Sequence, residues 1–340
     1  MIVSTLAASA DHASIFPAGA RLEVLYTHPA SPDEGLTEGP AVARDGSIYF
    51  SDMTNGSGVN RILRYDPRTR KTVVFAGQAG KCNGNAFLAD GALISCDGAD
   101  GGGRRLIRWN LQTGRGTTLV DRIQGRRLNS PNDLCVDLQG RIYFTDPRYG
   151  GPEPRELEHE AVYRLDPDGT VVEITWDVER PNGLALSPDQ QTLYIGDHNN
   201  GGGNRLHTTD PVTTPGAMKV YAFPLDGRGR VCGPRRTLVD FGSENGADGM
   251  RVDTQGNLYL AVRSLARPGI MVINPDGKEL AFLETEPRHQ QGPFADLKGI
   301  PSNLEFGTGD DADSLYLTID RGLYRVRVNT RGFHPHLVRQ

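Results

Sequence analysis

Six short segments of the sequence place an amide or a carboxylate side chain in a turn immediately before an apolar run. Two of them begin with Pro131-Asn132-Asp133 and Pro181-Asn182-Gly183, and the residues that follow predict a β-strand. The residues at this place in the six segments are Glu38, Asn83, Asn132, Asn182, Asp248 and Asn303. All six side chains offer oxygen donors and none is a thiol, which is the donor set that a hard divalent cation prefers.

Each of these residues, taken alone, is also a typical turn former, because Asn and Asp stabilise turns and tolerate left-handed backbone angles. Their equivalent placement in several repeated units favours a shared site instead. Two carboxylates buried together without a cation would be costly. We therefore expect one divalent cation, with calcium favoured and magnesium, manganese, zinc or ferrous iron as alternatives.

The elements that would position these side chains also repeat along the chain. A turn precedes a β-rich run at 45–52, 90–97, 139–146, 190–197, 255–262 and 313–320. Each run has one apolar segment before it and another after it, and most units continue through an Asp-Pro, Asn-Pro or Asp-Gly turn to a fourth. Four-stranded units of roughly 50 residues are typical of β-propeller blades, and two β-sandwiches would not explain this period.

The two ends of the chain complete the pattern. The sixth unit lacks a fourth strand after "GLYRVRVNTRG", whereas "ARLEVLY" at 20–26 has no partner of its own. We predict an all-β fold: a six-bladed β-propeller with four-stranded blades, its ring closed by this N-terminal strand. Residues 1–19 are expected to form an N-terminal extension and residues 20–340 a single domain. Because innermost strands start at one end of a propeller channel, the six turn residues should converge there.

Composition limits the class of protein. The 340 residues include 42 Gly and 22 Pro, with 37% hydrophobic and 23% charged residues, which fits a turn-rich globular β protein. A net charge of −5 argues against nucleic acid or an anionic membrane as a partner. No segment resembles a secretory signal or a membrane span. We expect a cytoplasmic monomer or dimer that acts on a small molecule.

Several short segments resemble motifs of other protein classes but lack a residue that each motif requires. The four cysteines form no C-x-x-C pair, which favours buried reduced thiols over disulfides or zinc ligation. "HEAVY" begins at His159 like a metalloprotease motif, but Tyr163 stands where the second histidine is required. The glycine-rich "GADGGGRRL" at 98–106 lacks the lysine of a phosphate loop, and no G-x-S-x-G elbow occurs.

Four segments carry a family resemblance: "EGPAVARDGSIYFSD", "SPNDLCVDLQGRIYFTDPRYG", "RPNGLALSPDQQTLYIGD" and "PSNLEFG". They resemble the gluconolactonase, senescence-marker-protein-30 and luciferin-regenerating-enzyme family, and the resemblance extends from about Leu22 to Val328. It implies a six-bladed propeller lactonase with one catalytic divalent metal. By motif, Glu38, Asn182 and Asp248 match the metal ligands of the family.

The resemblance also implies roles in catalysis and substrate binding. Asp248 would hold the metal and help to deprotonate the attacking water, and Asn132 would hydrogen-bond the substrate oxygen. Arg148, Tyr149 and Asn83 are expected to bind substrate, together with the loop at 151–160. The chain departs from its relatives at Ala247, where a proline is frequent, and in the longer loop at 198–216.

The predicted function is that of a carboxylic ester hydrolase of carbohydrate metabolism, which opens an aldonolactone such as gluconolactone to the acid. The same site could hydrolyse a phosphotriester or another lactone or ester. A non-catalytic interaction propeller is a third reading, and it predicts exposed aromatic clusters. The two tryptophans, Trp109 and Trp176, are instead expected within blade strands.

Overall fold

The computed structural model describes residues 15–28, 34–54, 58, 60–201, 215–285 and 299–338. Blade one contains β2 (Glu34–Val42), β3 (Ile48–Thr54), β4 (Arg61–Asp66) and β5 (Lys71–Ala76), and blade two contains β6 (Cys82–Phe87), β7 (Leu93–Asp97), β8 (Arg105–Asn110) and β9 (Arg115–Val120). After a small hairpin of β10 (Arg122–Ile123) and β11 (Arg126–Arg127), blade three contains β12 (Leu134–Val136), β13 (Ile142–Asp146), β14 (Ala161–Leu165) and β15 (Val171–Thr175).

The second half of the ring repeats this order. Blade four contains β16 (Pro181–Leu186), β17 (Thr192–His198), β18 (Met218–Pro224) and β19 (Arg236–Asp240). Blade five contains β20 (Ala247–Val252), β21 (Leu258–Val262), β22 (Gly269–Ile273) and β23 (Glu279–Glu284). Blade six contains β24 (Pro301–Phe306), β25 (Ser314–Ile319) and β26 (Gly322–Arg327), and its outer strand is β1 (Glu23–Thr27). Short 3₁₀ turns lie at Gly309–Asp311 and Pro335–Leu337.

Each blade is an antiparallel sheet, and the ring closes between the two ends of the chain. Strand β1 pairs with β26, with Glu23 opposite Arg325 and Thr27 opposite Gly322. The six four-stranded sheets and this closure confirm the predicted propeller. The β10–β11 hairpin was not predicted from the sequence. None of the helical segments in the described ranges has the length or apolarity that a bilayer span requires.

The turns between the first two strands of a blade follow from their sequence. In blade three, Asp137 Oδ1 accepts hydrogen bonds from the backbone N–H groups of Gln139 and Arg141, each at 2.9 Å. Gly140 takes a φ of 77°, a left-handed angle that glycine adopts without a Cβ clash. This turn reverses the chain so that β12 and β13 pair from Val136 and Ile142 onward.

The hydrophobic core lies between adjacent blades. Between blades six and one, Phe50 and Ile48 pack with Tyr316 and Leu323, and all four side chains are fully buried. Every residue of β13 is buried, because its two faces contact neighbouring blades. Each such large apolar side chain contributes about 1.5–3 kcal/mol relative to an exposed one.

In four blades an aspartate lies at or next to the end of the second strand and accepts hydrogen bonds from the segment that leads into the inner strand. Asp146 accepts the backbone N–H groups of Asn129 and Ser130, each at 2.7 Å. Asp197 accepts those of Glu179 and Arg180 at 2.9 and 2.8 Å. We call the equivalent set the clamp aspartates: Asp97, Asp146, Asp197 and Asp320. They fix the residues immediately before the inner strands β6, β16 and β24, and the residues four and five positions before β12.

Other sequence expectations have mixed outcomes. All four cysteines are free, and Cys82 and Cys96 are buried, but Cys232 is exposed, so the expectation of buried thiols is wrong for that residue. Trp109 lies in β8, whereas Trp176 follows β15, is 57% exposed and stacks on His159. Most of the 198–216 loop, at 202–214, lies outside the described residues.

Candidate metal and active site

The strand registers show which residues occupy equivalent positions at the axis. In blade four Pro181 pairs with Asp197 and Leu184 with Ile195, and in blade five Ala247 pairs with Val262 and Met250 with Leu260. Asn182 directly follows Pro181, and Asp248 directly follows Ala247, so the two occupy equivalent positions. In five blades this position is held by Glu38, Asn83, Asn132, Asn182 and Asp248.

Blade six departs from the sequence expectation by one residue. Pro301 pairs with Ile319 and Leu304 with Leu317, so Ser302 rather than Asn303 is equivalent to the other five. Asn303 instead shares the next position with Gly39, Gly84, Asp133, Gly183 and Gly249.

At that next position two blades carry polar side chains where four carry glycine. A Cβ on Gly84 would lie 2.4 Å from Asp133 Oδ1, and one on Gly249 would lie 2.1 Å from Asn303 Cγ. The glycines therefore leave the space that Asp133 and Asn303 occupy. The sequence analysis did not identify Asp133 as an axial residue. It could have done so, because four of the other five repeats have glycine at the equivalent position.

Asn303 joins two of the carboxylates. Its Nδ2 donates to Glu38 Oε2 and to Asp133 Oδ2, both at 3.2 Å, while its Oδ1 accepts the N–H of Leu304 at 2.9 Å. Glu38 and Asp133 come from blades one and three and are 4% and 1% exposed. Their charges are therefore held close together with little water.

Three carboxylates define this end of the channel, and we call Glu38, Asp133 and Asp248 the axial carboxylates. Burial, followed by the charges of Asp248 and Asp133, raises the pKa of Glu38 well above its usual value. Burial also raises the pKa of Asp133, although Arg251 opposes it. Arg263 donates to Asp248 Oδ2 at 2.9 Å, but no described cationic side chain forms an ion pair with Glu38.

Asn182 is held by a hydrogen-bonded chain on the blade-four side of the axis. Its Nδ2 donates to the Tyr149 hydroxyl at 2.9 Å, and that hydroxyl donates to the carbonyl of His198 at 3.1 Å. The His198 ring donates from Nδ1 to the carbonyl of Ala247 at 3.2 Å, because a carbonyl can only accept. Burial raises the pKa of Tyr149 well above its usual value, so the hydroxyl is neutral.

The other predicted substrate residues differ in their surroundings. Asn132 and Asn83 are half-buried, and no described residue forms a hydrogen bond with either side-chain amide. Arg148 is only 1% exposed and donates to the carbonyl of Asn129 at 2.8 Å and to Glu153 at 3.1 Å. Arg148 therefore contacts protein groups and braces the turn that leads to Asn132.

The donor chemistry suits a hard cation. Glu38 and Asp248 supply carboxylate oxygens, and the amide nitrogen of Asn182 is already bonded to Tyr149, which leaves its oxygen for a ligand. Within the described ranges, no cluster of three or more His, Cys, Asp or Glu side chains has the arrangement of a preformed metal centre. The predicted set, Glu38, Asn182 and Asp248, instead combines one amide with two carboxylates.

The opposite end of the channel has a different character. Arg251 Nε lies 3.1 Å from Glu305 Oε2, and His334 Nδ1 lies 3.6 Å from Glu305 Oε1. A cavity of about 60 Å³ there is lined largely by apolar residues of the inner strands and is flanked by Phe333 and His336. Glu305 is thus paired with a cationic partner, whereas Glu38 at the other end forms no ion pair with a described cationic side chain, which identifies that end as the candidate site.

Comparisons with known proteins identify relatives over most of the chain. The gluconolactonase of Zymomonas mobilis is 30% identical over 321 residues, which covers 87% of this chain and 79% of that protein. The pentonolactonase of Haloferax volcanii is 27% identical, with coverage of 84% and 82%. A solved gluconolactonase structure from Xanthomonas campestris is 30% identical, covers 91% of this chain and 90% of its own, and superimposes with a TM-score of 0.71.

The family described as SMP-30/Gluconolactonase/LRE-like region matches residues 36–321, from the inner strand of blade one to the turn between β25 and β26. This range includes Glu38, Asn132, Asn182 and Asp248. The family resemblance found in the sequence is therefore confirmed, and the chain belongs to the SMP-30/gluconolactonase/LRE-like family.

Proposed function

We propose that this chain is a metal-dependent lactonase, which hydrolyses an aldonolactone such as gluconolactone to the open-chain acid. The observation that carries the proposal is the convergence of three buried carboxylates from three blades on one end of the channel. Relatives named gluconolactonase and pentonolactonase support the same class of reaction.

Glu38, Asn182 and Asp248 would hold the cation through side-chain oxygens. A bound divalent cation polarises a lactone carbonyl and lowers the pKa of water, which is the chemistry that ester hydrolysis at neutral pH needs. Calcium is our first choice because the donors are all oxygens, with manganese, zinc, magnesium and ferrous iron as alternatives.

The remaining steps belong to the protein side chains. Arg263 holds Asp248 Oδ2 and so fixes the rotation of that carboxylate, which would accept the proton of the attacking water. Asn132 would donate its amide hydrogen to the substrate oxygen, with Asn83 and the 151–160 loop nearby at the mouth. Arg148 would act on this step by bracing the chain before Asn132.

The proposal also covers the setting of the reaction. We place the enzyme in the cytoplasm, in carbohydrate metabolism, as a monomer or dimer whose partner is a small-molecule lactone rather than nucleic acid or a membrane. Residues 20–340 would act as a single domain with residues 1–19 as an extension. Within that extension, the carbonyl of Ile15 accepts the N–H of Asn329 at 2.8 Å, and Ile15 packs on blade six.

The test is hydrolysis of glucono-1,5-lactone by metal-stripped protein, followed by addition of calcium, manganese, zinc, magnesium and ferrous iron in turn. We expect one cation to restore the rate, and Glu38→Gln to remain about 1,000-fold slower with every cation. Asp276→Asn is the matched control, because Asp276 is an exposed carboxylate remote from the axis, and it should keep the full rate.

A panel of other substrates separates the alternatives. Metal-dependent cleavage of a phosphotriester or a larger lactone, without cleavage of aldonolactones, would replace the proposed substrate class and keep the site. A protein that binds the cation and cleaves none of these would contradict the enzymatic proposal and favour a non-catalytic propeller.

A further inference from the structure

We infer that Tyr149 is a positioning residue: its hydroxyl fixes the amide of Asn182 in the one orientation that turns Oδ1 toward the axis. The inference rests on the proposed function in one respect, because the orientation matters only if Asn182 Oδ1 is a cation ligand. It assigns Tyr149 a role through Asn182 rather than through the substrate.

The hydrogen-bond chain leaves only one consistent arrangement. The carbonyl of His198 cannot donate, so the single proton of the Tyr149 hydroxyl must be directed at it, over 3.1 Å. The hydroxyl oxygen can then only accept from Asn182 at 2.9 Å, and the group facing it must be Nδ2. A flipped amide would bring Oδ1 against an oxygen with no proton to offer.

The phenol ring is itself held firmly. The guanidinium of Arg180 lies 5.2 Å from the ring centroid of Tyr149, and Arg180 is fully buried. The side-chain Nε of Arg180 lies 3.4 Å from Glu160 Oε2. The backbone N–H of Arg180 donates to the clamp aspartate Asp197 at 2.8 Å. The ring that orients Asn182 is thus braced by the chain that enters β16.

Loss of the hydroxyl should therefore free the amide to rotate. Asn182 would place Nδ2 toward the axis in part of the population, and an N–H group repels a cation. Residues that orient a metal ligand typically contribute 10–100-fold to metal affinity. A carboxylate at the same position would present an oxygen to the axis in either rotation, so Tyr149 would no longer decide whether an oxygen or an N–H group faces the cation.

The experiment is a double-mutant cycle on metal affinity, measured by calorimetric titration of the metal-stripped protein with Mn²⁺. We expect Tyr149→Phe to raise the Mn²⁺ Kd about 10-fold in the native background. In the Asn182→Asp background the same substitution should change the Kd less than about 2-fold. In the Asn182→Ala background, where residue 182 offers the cation no side-chain oxygen, Tyr149→Phe should likewise change the Kd less than about 2-fold.

The outcomes separate this inference from the proposed function. An equal loss of affinity in the native background and in either variant background, or no loss in any, would overturn the inference, even in a fully active lactonase. The expected coupling in a protein that binds Mn²⁺ but hydrolyses no lactone would support the inference while the proposed reaction fails.

Discussion

Asp197 and Asp248 lie in neighbouring blades and are 1% and 8% exposed, but their oxygens have different partners. Asp197 accepts two backbone N–H groups from the chain before β16. Asp248 is bonded to the guanidinium of Arg263, and its charge raises the pKa of Glu38 across the axis. Burial alone therefore does not identify a functional carboxylate, whereas the partners of its oxygens do.

The same contrast holds for the two whole sets. The clamp aspartates accept backbone N–H groups of the same blade, and Asp97 also accepts from the Arg105 guanidinium, so they stabilise local chain geometry. The axial carboxylates come from different blades and face one another, which is unfavourable unless a cation or a proton intervenes. Substitution in the first set should mainly reduce stability, and substitution in the second should mainly reduce activity.

The largest effect is expected from Asp248→Asn. The rate of lactone hydrolysis, as kcat/KM at saturating cation, should fall about 1,000-fold, because the substitution would remove both a proposed cation ligand and the proposed proton acceptor. The urea midpoint of the metal-free protein should change little, because the lost repulsion of Glu38 and Asp133 offsets the weaker bond to Arg263.

Asp197→Asn provides the matched comparison for that experiment, since it is the same chemical change at a buried aspartate of the adjacent blade. It should keep kcat/KM within about 10-fold of the native value while lowering the urea midpoint. Comparable activity losses in the two variants would contradict the division into clamp and axial sets.

A smaller effect, on stability, is expected from Asp197→Ala. Two buried N–H groups would lose their acceptor, so the free energy of unfolding should fall by about 3 kcal/mol. Urea denaturation followed by circular dichroism measures this change. Asp276→Ala is the exposed control and should change the free energy of unfolding by less than about 0.5 kcal/mol. A cost below about 1 kcal/mol for Asp197→Ala would mean that water replaces the carboxylate.

The propeller was predictable from the sequence because the residues that specify each blade are close together in the chain and recur in every unit. Turn residues and β-rich runs recur in every unit, and the lone "ARLEVLY" segment indicated the closure that β1 and β26 make. The β10–β11 hairpin was not predictable, since two strands of two residues each carry no period. Trp176 was misplaced because an apolar residue just after a strand cannot be distinguished from one within it.

Only those site residues that occupy equivalent positions in the repeated units were predictable from the sequence. The equivalence of Glu38, Asn182 and Asp248 follows from motif position, and the registers agree with it. Contacts between blades do not appear in a sequence repeat. The bonds from Asn303 to Glu38 and Asp133 span 265 and 170 residues, and the bond from Asn182 to Tyr149 joins blades four and three. These long-range contacts needed the structure.

The smallest effect concerns a clamp aspartate that shares one property with the axial set. Burial raises the pKa of Asp146 to about 7, even though two backbone N–H groups oppose the shift. In the unfolded chain an aspartate titrates near pH 3.9. Because the folded-state pKa is the higher one, the stabilising contribution of this group is present at low pH and is lost as the pH rises through about 7.

Between pH 5.5 and pH 8 this loss should amount to about 2 kcal/mol of the free energy of unfolding, and Asp146→Asn should remove it. The comparison is the difference in urea midpoint between the native protein and Asp146→Asn at the two pH values. Other titrating groups, Asp197 with a pKa of about 6 among them, are common to both proteins and cancel. If the difference between the native protein and Asp146→Asn instead stays constant between pH 5.5 and pH 8, the N–H donors of Asn129 and Ser130 outweigh burial. Asp146 would then be ionised throughout, and the clamp and axial sets would differ in charge as well as in partners.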